Sequence, residues 1–417
     1  MTKRTSTKPI FIKDVQIGGQ NRVIIQSMTN IPAKRVDETI KLVNNLADLG
    51  CELIRIAVLD EEDAHAFKHI IPKVKIPVIA DIHYMHSLAL IVIEHGVHKI
   101  RINPGNITNP EEVKKIITAC KEKNIPIRIG VNSGSLPKDL MQKYGMTKEA
   151  MVEAALRHIE ILEKENFTNI AVSVKSTDPI LSIESYRELA KKISYPLHLG
   201  ITEAGPLIRG TTISAYALGR LIEDGLGDTI RVSLSDDPWK EVKVAKEILN
   251  IFELNNIPKL ISCPTCGRVQ YKNMFKVVND LDKYLETLKG KVKIAVMGCA
   301  VNGLGEAQDA DIAVVGNNQK GMIYVNKKIV KIVEEKNILK ELKIIVNNYL
   351  KNKKMFYKHL FYLETTGFAG AAINNLHFDS IFVFFKLSFV MIQVSPGASC
   401  IPLIIAALSL IFVITKK

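Results

Sequence analysis

Residues 127–132 read IRIGVN, and two earlier segments, VIADIH at 78–83 and KIRINPGN at 99–106, share its pattern of an apolar run that ends in polar residues. Near-continuous runs of Val, Ile and Leu are typical of strands buried on both faces of a parallel sheet. Amphipathic stretches follow these runs, as in KEAMVEAALRHIEILEKEN after residue 132, and their apolar residues recur at helical spacing. The pattern therefore predicts alternating strands and helices.

The same strand–helix unit occurs eight times from Val23 to Leu234. The other five strands are predicted at 23–30, 53–58, 170–175, 197–202 and 229–234. Eight units in roughly 210 residues fit a (β/α)8 barrel, which usually has about 250 residues. We therefore predict an α/β fold with a TIM barrel, and a doubly wound open sheet is the alternative.

Four of the 12 arginines lie inside or at the start of these apolar strands, namely Arg55, Arg101, Arg128 and Arg231. A buried arginine is costly unless it is paired, so each could be neutralised by a carboxylate such as Asp81 or Glu203. With Lys175 at the end of the sixth strand, however, the cations outnumber the acids at the strand ends, where a barrel carries its active site. The excess positive charge predicts an anionic ligand, and guanidinium groups suit phosphate.

The composition excludes several classes of protein. A chain of 417 residues with 47% hydrophobic and 24% charged residues is neither disordered nor a protein with many membrane spans. The net charge of +13 comes from 44 Lys and 12 Arg spread along the chain, which favours an anionic small substrate over nucleic acid. Six cysteines are too few for a disulfide scaffold, and the basic N-terminus lacks the apolar core of a secretory signal. We therefore expect a cytoplasmic protein.

The pattern changes after a predicted last barrel helix at about 238–253. A short strand precedes ISCPTCGR at 261–268, a helix is predicted at about 273–288, and residues 291–316 indicate a strand, a glycine-rich loop and a strand. A Lys-rich helix to about residue 350 completes a small α+β domain. The predicted divisions are an N-terminal segment at 1–22, a TIM-barrel domain at 23–255, the small domain at 256–350 and an atypical tail at 351–417.

Three cysteines of the small domain could share one metal. Cys263 and Cys266 form a C-x-x-C pair, and Cys299 lies 33 residues further on. A zinc site would normally need a fourth Cys or a His, and residues 256–350 contain neither. An iron–sulfur cluster tolerates a different fourth ligand, and Glu306 is the nearest carboxylate. The residues favour a cluster, with zinc and unrelated cysteines as alternatives, whereas Cys51 and Cys120 are predicted to be core residues.

Nine sequence blocks occur in an order that resembles the bacterial 4-hydroxy-3-methylbut-2-enyl diphosphate synthase family, over about residues 5–350. The blocks are SMTN, VIADIHY, RINPGNI, PIRIGVNSGSL, VSVKSTD, PLHLGITEAG, GDTIRVSLSDDP, CPTCGR and GCAVNGLGEA. The resemblance implies a reductive ring opening of 2-C-methyl-D-erythritol 2,4-cyclodiphosphate in non-mevalonate isoprenoid biosynthesis. It also implies flavodoxin or ferredoxin as the electron donor, and a homodimer in which one subunit's cluster domain closes the other's barrel.

The resemblance also assigns roles to residues. It implies a [4Fe–4S] cluster, and it implies Glu203 as the acid that protonates the leaving oxygen. The cluster ligands of the family match Cys263, Cys266, Cys299 and Glu306. Its diphosphate-binding residues match Arg55, Arg101, Arg128, Asn132, Lys175, Arg231 and Ser233.

The chain departs from the family in two places. Leu304 stands where the family loop usually has proline, and the tail has no family counterpart. Nine of the 14 Phe lie between Phe356 and Phe412, and no charge occurs from Leu387 to Thr415. We interpret the tail as a read-through, frameshifted or fused extension, and a membrane anchor is the alternative.

Two hypotheses from other classes compete with the iron–sulfur reductase. A basic nucleic-acid-binding protein with a zinc ribbon would explain the charge and the C-x-x-C pair, but it leaves the strand arginines unexplained. A membrane-tethered phosphosugar-binding barrel would explain the arginines and the tail, but it leaves three cysteines unused.

Overall fold

The computed structural model describes residues 4–20, 22–83, 85–103 and 109–365. The chain divides into two compact units, one that ends at Asn256 and one that begins at Ile257. The end of the predicted strand 99–106 and most of the predicted tail lie outside the described residues.

The first unit begins with a hairpin of two antiparallel strands, β1 (Ile10–Ile12) and β2 (Val15–Ile17). The sequence pattern predicted no strand or helix in this segment. The hairpin packs against residues at or near the beginning of four barrel strands. Its buried side chains Ile10, Ile12 and Ile17 contact an apolar layer formed by Ile24, Leu53, Ile79 and Ala171. The hairpin therefore covers the N-terminal end of the barrel with apolar surface.

Eight parallel strands follow, and they confirm the predicted barrel. The strands are β3 (Ile24–Met28), β4 (Leu53–Val58), β5 (Val78–Ile82), β6 (Lys99–Ile102), β7 (Ile127–Asn132), β8 (Ile170–Lys175), β9 (His198–Gly200) and β10 (Thr229–Arg231). Their order in the sheet is β8-β7-β6-β5-β4-β3-β10-β9. A parallel bridge between Val172 and Leu197 joins the two ends of this order, and the Val172 amide donates to the Pro196 carbonyl at 2.9 Å. Strands that follow each other in sequence are neighbours in the sheet, and the sheet closes into a barrel. This arrangement excludes the doubly wound open sheet.

Helices connect the barrel strands, and several begin at side chains that cap them. Asp60 accepts from the Asp63 amide at 2.8 Å, and Asp178 accepts from the Ile180 amide at 2.8 Å. Such caps satisfy amides that have no partner inside the helix. The helices are α1 (Val36–Asp48), α2 (Glu61–Ile70), α3 (His86–Glu94), α4 (Pro110–Glu122), α5 (Lys138–Tyr144), α6 (Lys148–Lys164), α7 (Pro179–Ala190), α8 (Leu207–Glu223) and α9 (Pro238–Ile251).

The second unit is a five-stranded mixed sheet with three helices, which agrees with the predicted α+β class. Its first three strands are parallel and its last two are antiparallel additions. The apolar sides of the two longer helices pack on one face of the sheet. In chain order the elements are β11 (Lys259–Ser262), α10 (Met274–Leu285), β12 (Lys293–Met297), α11 (Ala300–Glu306), β13 (Ile312–Asn317), β14 (Lys320–Val325), β15 (Lys328–Glu334) and α12 (Ile338–Thr365).

Two predictions about this unit were wrong. The glycine-rich segment after β12 is the short helix α11 and not a loop. A Cβ atom on Gly303 would lie 2.9 Å from Cγ1 of Val315 and 3.0 Å from Cβ of Met297, so this glycine lets the helix approach the sheet closely. In addition, α12 does not end near residue 350 but continues to Thr365.

No helix within the described ranges is both long enough and apolar enough to cross a bilayer.

Candidate active site

The predicted strand cations converge inside the barrel. Lys175 at the end of β8 is buried, and its pKa lies well below the usual range, first because of burial and then because of neighbouring positive charges. Those charges belong to four arginines on four other strands, Arg128, Arg55, Arg231 and Arg101. The structure therefore brings together all five cations that the sequence singled out.

Two glycines make room for these cations. A Cβ atom on Gly130 of β7 would lie 2.5 Å from Nε of Arg101, and one on Gly200 of β9 would lie 2.7 Å from Nζ of Lys175. Both distances are shorter than a Cβ atom can tolerate, so each long side chain lies directly against the backbone of a neighbouring strand.

Asp81 on β5 holds two of the arginines. Its Oδ1 accepts from Nη1 of Arg101 at 2.9 Å, and its Oδ2 lies 3.4 Å from Nε of Arg55. Burial opposes ionisation of Asp81, but the charges of Arg55 and Arg101 outweigh it and hold the pKa of this carboxyl well below its usual range. His83 also lies close, with Nε2 at 3.7 Å from Oδ2 of Asp81.

Glu241 holds the third arginine, and it was not predicted from the sequence. Its carboxylate accepts from Nη2 of Arg231 at 3.1 Å, from Nε of Arg231 at 3.3 Å and from the Ser27 hydroxyl at 2.9 Å. Glu241 lies in the first turn of α9. Acids are common there because they favour the positive end of a helix, so its position gave no distinct signal.

Arg128 and Lys99 pair with no carboxylate in the described part of the chain. Neither Nε nor Nη1 of Arg128 has a hydrogen-bond partner among the described residues, and the same is true of Nζ of Lys99. Arg128 is only 1% exposed and Lys99 is 0% exposed. Burial lowers the pKa of both groups, and neighbouring cations lower it further. Lys99 was not predicted; it stands two residues before Arg101 and so shares its face of β6.

The interior therefore carries more positive than negative charge. Among the described residues, two carboxylates pair with these cations, Asp81 and Glu241, and they hold three arginines. The possibility that every strand arginine is neutralised by an acid holds for those three and fails for Arg128. The six cations are Arg55, Lys99, Arg101, Arg128, Lys175 and Arg231.

The other three barrel residues implied by the family resemblance lie at strand ends. Asn132 ends β7 and pairs in register with Lys175, and Ser233 follows β10; both are half-buried. Glu203 follows β9 and is exposed, and it makes no ion pair within the described part of the chain. Its φ of 55° places a non-glycine residue in the left-handed region, which is uncommon and marks a constrained backbone position.

Two of the three small-domain cysteines lie together. Cys263 directly follows β11, and Cys299 comes two residues after the parallel neighbour β12. The Gly298 amide donates to Sγ of Cys263 at 3.1 Å. Cys266 lies on an exposed turn, and Glu306 is exposed at the end of α11. Among the described residues no three His, Cys, Asp or Glu side chains stand close enough to hold one metal ion.

Comparison with known proteins identifies the two units. A family model described as the GcpE TIM-barrel domain matches residues 7–246, and one described as the GcpE protein C-terminal domain matches residues 259–348. A protein of Malacoplasma penetrans named 4-hydroxy-3-methylbut-2-en-1-yl diphosphate synthase (flavodoxin) is 48% identical over 358 residues, which are 85% of this chain and 99% of that protein.

Two further relatives carry the same name. The protein of Clostridium perfringens is 49% identical over 341 residues, with 81% of this chain and 97% of the relative covered. The protein of Bacillus subtilis is 48% identical over 345 residues, with 82% of this chain and 91% of the relative covered. The resemblance seen in the nine sequence blocks is thus confirmed, and the chain belongs to the GcpE family of 4-hydroxy-3-methylbut-2-en-1-yl diphosphate synthases.

Proposed function

We propose that this chain catalyses the reductive ring opening of 2-C-methyl-D-erythritol 2,4-cyclodiphosphate to 4-hydroxy-3-methylbut-2-enyl diphosphate. The observation that carries the proposal is that six buried or half-buried cations of the barrel share only two paired carboxylates among the described residues. Cations that bind a nucleic acid must lie on an accessible surface, so their burial argues against that alternative. Family membership further favours the reductase over a barrel that only binds a phosphosugar.

Arg128 and Lys175 are the cations we assign to the diphosphate. Each is buried and has no carboxylate within hydrogen-bond distance in the described structure, so each would gain an anionic partner when the substrate binds. The half-buried Asn132 and Ser233 add uncharged donors at the ends of β7 and β10. A desolvated phosphate is held most strongly by charged donors of this kind.

Arg55, Arg101 and Arg231 would complete the diphosphate site as prepositioned groups. Asp81 fixes the first two and Glu241 fixes the third. A guanidinium that is already held by a carboxylate loses less side-chain entropy when it meets the substrate. The two acids therefore orient cationic donors at a modest cost in net positive charge.

We propose further that Cys263, Cys266, Cys299 and Glu306 would hold a [4Fe–4S] cluster. The donor set supports this, because three thiols and one carboxylate suit iron better than a zinc site that lacks His. The adjacency of Cys263 and Cys299, and the amide of Gly298 directed at a cysteine sulfur, are also compatible with cluster ligation. When bound, such a cluster supplies low-potential electrons one at a time.

The proposed reaction takes up two electrons and one proton, breaks the ring carbon–oxygen bond to phosphate and releases one hydroxyl as water. We assign the proton to Glu203, which follows β9 at the end of the barrel where TIM barrels carry their active sites. Its carboxyl is exposed, so solvent reaches it. The left-handed backbone at Glu203 supports a position set by function and not by packing.

The electron donor we propose is flavodoxin, because the names of the relatives specify it; ferredoxin is the alternative. We also propose a cytoplasmic homodimer, in which the cluster domain of one subunit serves the barrel of the other.

Anaerobic purification of the full chain tests these proposals. We expect a brown protein with iron and acid-labile sulfide in equal amounts, and turnover of the cyclodiphosphate with reduced flavodoxin. Arg128→Met is the matched control, because it should keep the iron content and lose turnover. A colourless, zinc-loaded protein without turnover would reject the reductase.

A further inference from the structure

Lys175 is the first member of a buried series of three hydrogen-bonded side chains. Nζ of Lys175 lies 3.2 Å from Nε2 of His198 on β9, and Nδ1 of His198 lies 2.7 Å from Oγ1 of Thr229 on β10. All three residues are buried, and His198 is 0% exposed. The family resemblance gave no role to His198 or Thr229.

The ammonium of Lys175 decides which groups of this series donate and which accept. A lysine ammonium can only donate, so Nε2 of His198 must accept, and Nδ1 must carry the hydrogen that it donates to Thr229. Burial lowers the pKa of His198 well below its usual range, and the charges of Arg128 and Lys175 lower it further. The ring is therefore neutral, as an acceptor must be.

The position of His198 is fixed from its backbone as well. The hydroxyl of Tyr186 on α7 donates to the backbone carbonyl of His198 at 2.6 Å. Gly200, two residues further along β9, leaves the space that Nζ of Lys175 occupies. These contacts together fix the position at which Nζ of Lys175 and Nε2 of His198 approach each other.

We propose that His198 is a positioning residue that holds the ammonium of Lys175 where it can bind a phosphate of the substrate, with Thr229 fixing the tautomer of the ring. This inference rests on the proposed function, because it takes Lys175 to be a ligand of the diphosphate. A neutral acceptor suits the task because it orients the ammonium without neutralising it. A carboxylate in the same place would also orient the ammonium, but it would cancel its charge.

The proposal makes a distinct prediction about pH. The charged groups around Lys175 and His198 are the cations Arg55, Lys99, Arg101, Arg128 and Arg231, and the carboxylates Asp81 and Glu241 pair with arginines. Tyr186 faces them with a phenol whose pKa is raised by burial, so it stays neutral. Affinity for an anion that depends on the ammonium is present below the pKa of Lys175 and is lost above it. Removing the acceptor destabilises the ammonium, which moves this loss to lower pH.

The test uses the full chain and measures the dissociation constants of inorganic pyrophosphate and of the cyclodiphosphate by calorimetry from pH 6 to pH 9. For His198→Leu we expect about tenfold weaker binding at neutral pH and an alkaline limb displaced to lower pH. His198→Gln keeps an acceptor near the position of Nε2 and should stay within about threefold of the wild type. Thr229→Val should weaken binding and Thr229→Ser should not, and these milder variants carry the test if His198→Leu does not fold.

The outcomes separate this inference from the proposed function. Unchanged affinity and an unchanged pH limb in folded His198→Leu would overturn the positioning role. A uniform loss of affinity without a pH displacement, and without rescue by Gln, would also overturn it, because that is the result of a purely structural role. A wild type that binds pyrophosphate and shows these variant effects, but never converts the cyclodiphosphate, would sink the proposed function alone. A wild type that binds neither anion would sink both.

Discussion

Asp81 accepts a hydrogen bond from Nη1 of Arg101 at 2.9 Å. Arg128 lies beside Arg101 in the β6–β7 register and forms no ion pair with any described carboxylate. This contrast divides the buried cations into those that a described carboxylate pairs and those that none pairs. An unpaired buried charge costs folding free energy, so its presence points to a function that outweighs the cost.

Replacement of Arg128 should therefore affect stability and binding in opposite directions. Arg128→Met removes a buried charge without leaving an acid unpaired, so the melting temperature of the ligand-free protein should rise by a few degrees. Pyrophosphate affinity should fall at least tenfold in Arg128→Met. It should fall about tenfold in Arg128→Lys, because lysine keeps the charge but lacks the planar guanidinium that binds phosphate through two hydrogen bonds. Differential scanning fluorimetry and calorimetry on the same samples measure both quantities.

Arg231→Met is the matched comparison. It leaves Glu241 buried with one cationic partner fewer, so its melting temperature should fall. Equal destabilisation by Arg128→Met and Arg231→Met would show that Arg128 has a structural partner after all.

The pKa of Asp81 gives a prediction about acid stability. We expect Asp81→Asn to lower the free energy of unfolding by about 3 kcal/mol at pH 7, because two guanidinium groups lose their carboxylate. The folded pKa of Asp81 is depressed, so its contribution is complete above the unfolded value of about 4 and is lost as pH falls from there toward the folded value. Urea unfolding at pH 7, 5 and 3 should therefore show an equal gap between variant and wild type at the first two values and a smaller gap at pH 3. A gap that widens in acid would contradict the assignment.

Cysteine variants test the proposed cluster. Cys263→Ser, Cys266→Ser and Cys299→Ser should each abolish bound iron and turnover, because residues 256–350 contain three cysteines and each variant removes one of them. Cys51→Ser is the control. Cys51 is buried, and burial raises the pKa of its thiol to about 12, so it stays protonated and cannot act as a ligand. Full iron content in any of the first three variants, measured by colorimetric assay, would remove that residue from the ligand set.

The barrel could be predicted because its strands are continuous apolar runs. The observed strands β4, β7 and β8 have the predicted bounds, and the arginines within such runs stood out as costly. Glu241 could not be predicted, because an acid at the start of a helix has an electrostatic reason to be there whether or not it faces a strand arginine. Glu241 pairs with Arg231 because the fold brings the start of α9 beside the end of β10, and this tertiary contact leaves no local sequence pattern.

The small domain was harder to predict, because local preference and packing conflict there. Gly303 and Gly305 disfavour a helix, yet α11 forms, and Gly303 packs closely against Val315 of β13 and Met297 of β12. The hairpin of β1 and β2 was missed because three-residue strands carry too little pattern to distinguish them from a basic, irregular segment.

The final prediction concerns the position at which the chain can be shortened. The structure argues against a stop after Lys351, because α12 continues to Thr365. Phe356 is buried on this helix, and Nζ of Lys353 donates to the carbonyl of Lys291 at 3.1 Å. A stop after Thr365 keeps these contacts and removes an apolar stretch that water solvates poorly.

We therefore expect the chain that ends at Thr365 to give more soluble protein with unchanged turnover per iron. The chain that ends at Lys351 should melt at a lower temperature, because it loses the packing of Phe356. Fractionation of cells that express the full and the shortened chains tests the alternative that the tail is a membrane anchor. Membrane association of the full chain alone would favour an anchor over a read-through extension, and loss of turnover in the chain ending at Thr365 would show that residues 366–417 belong to the functional protein.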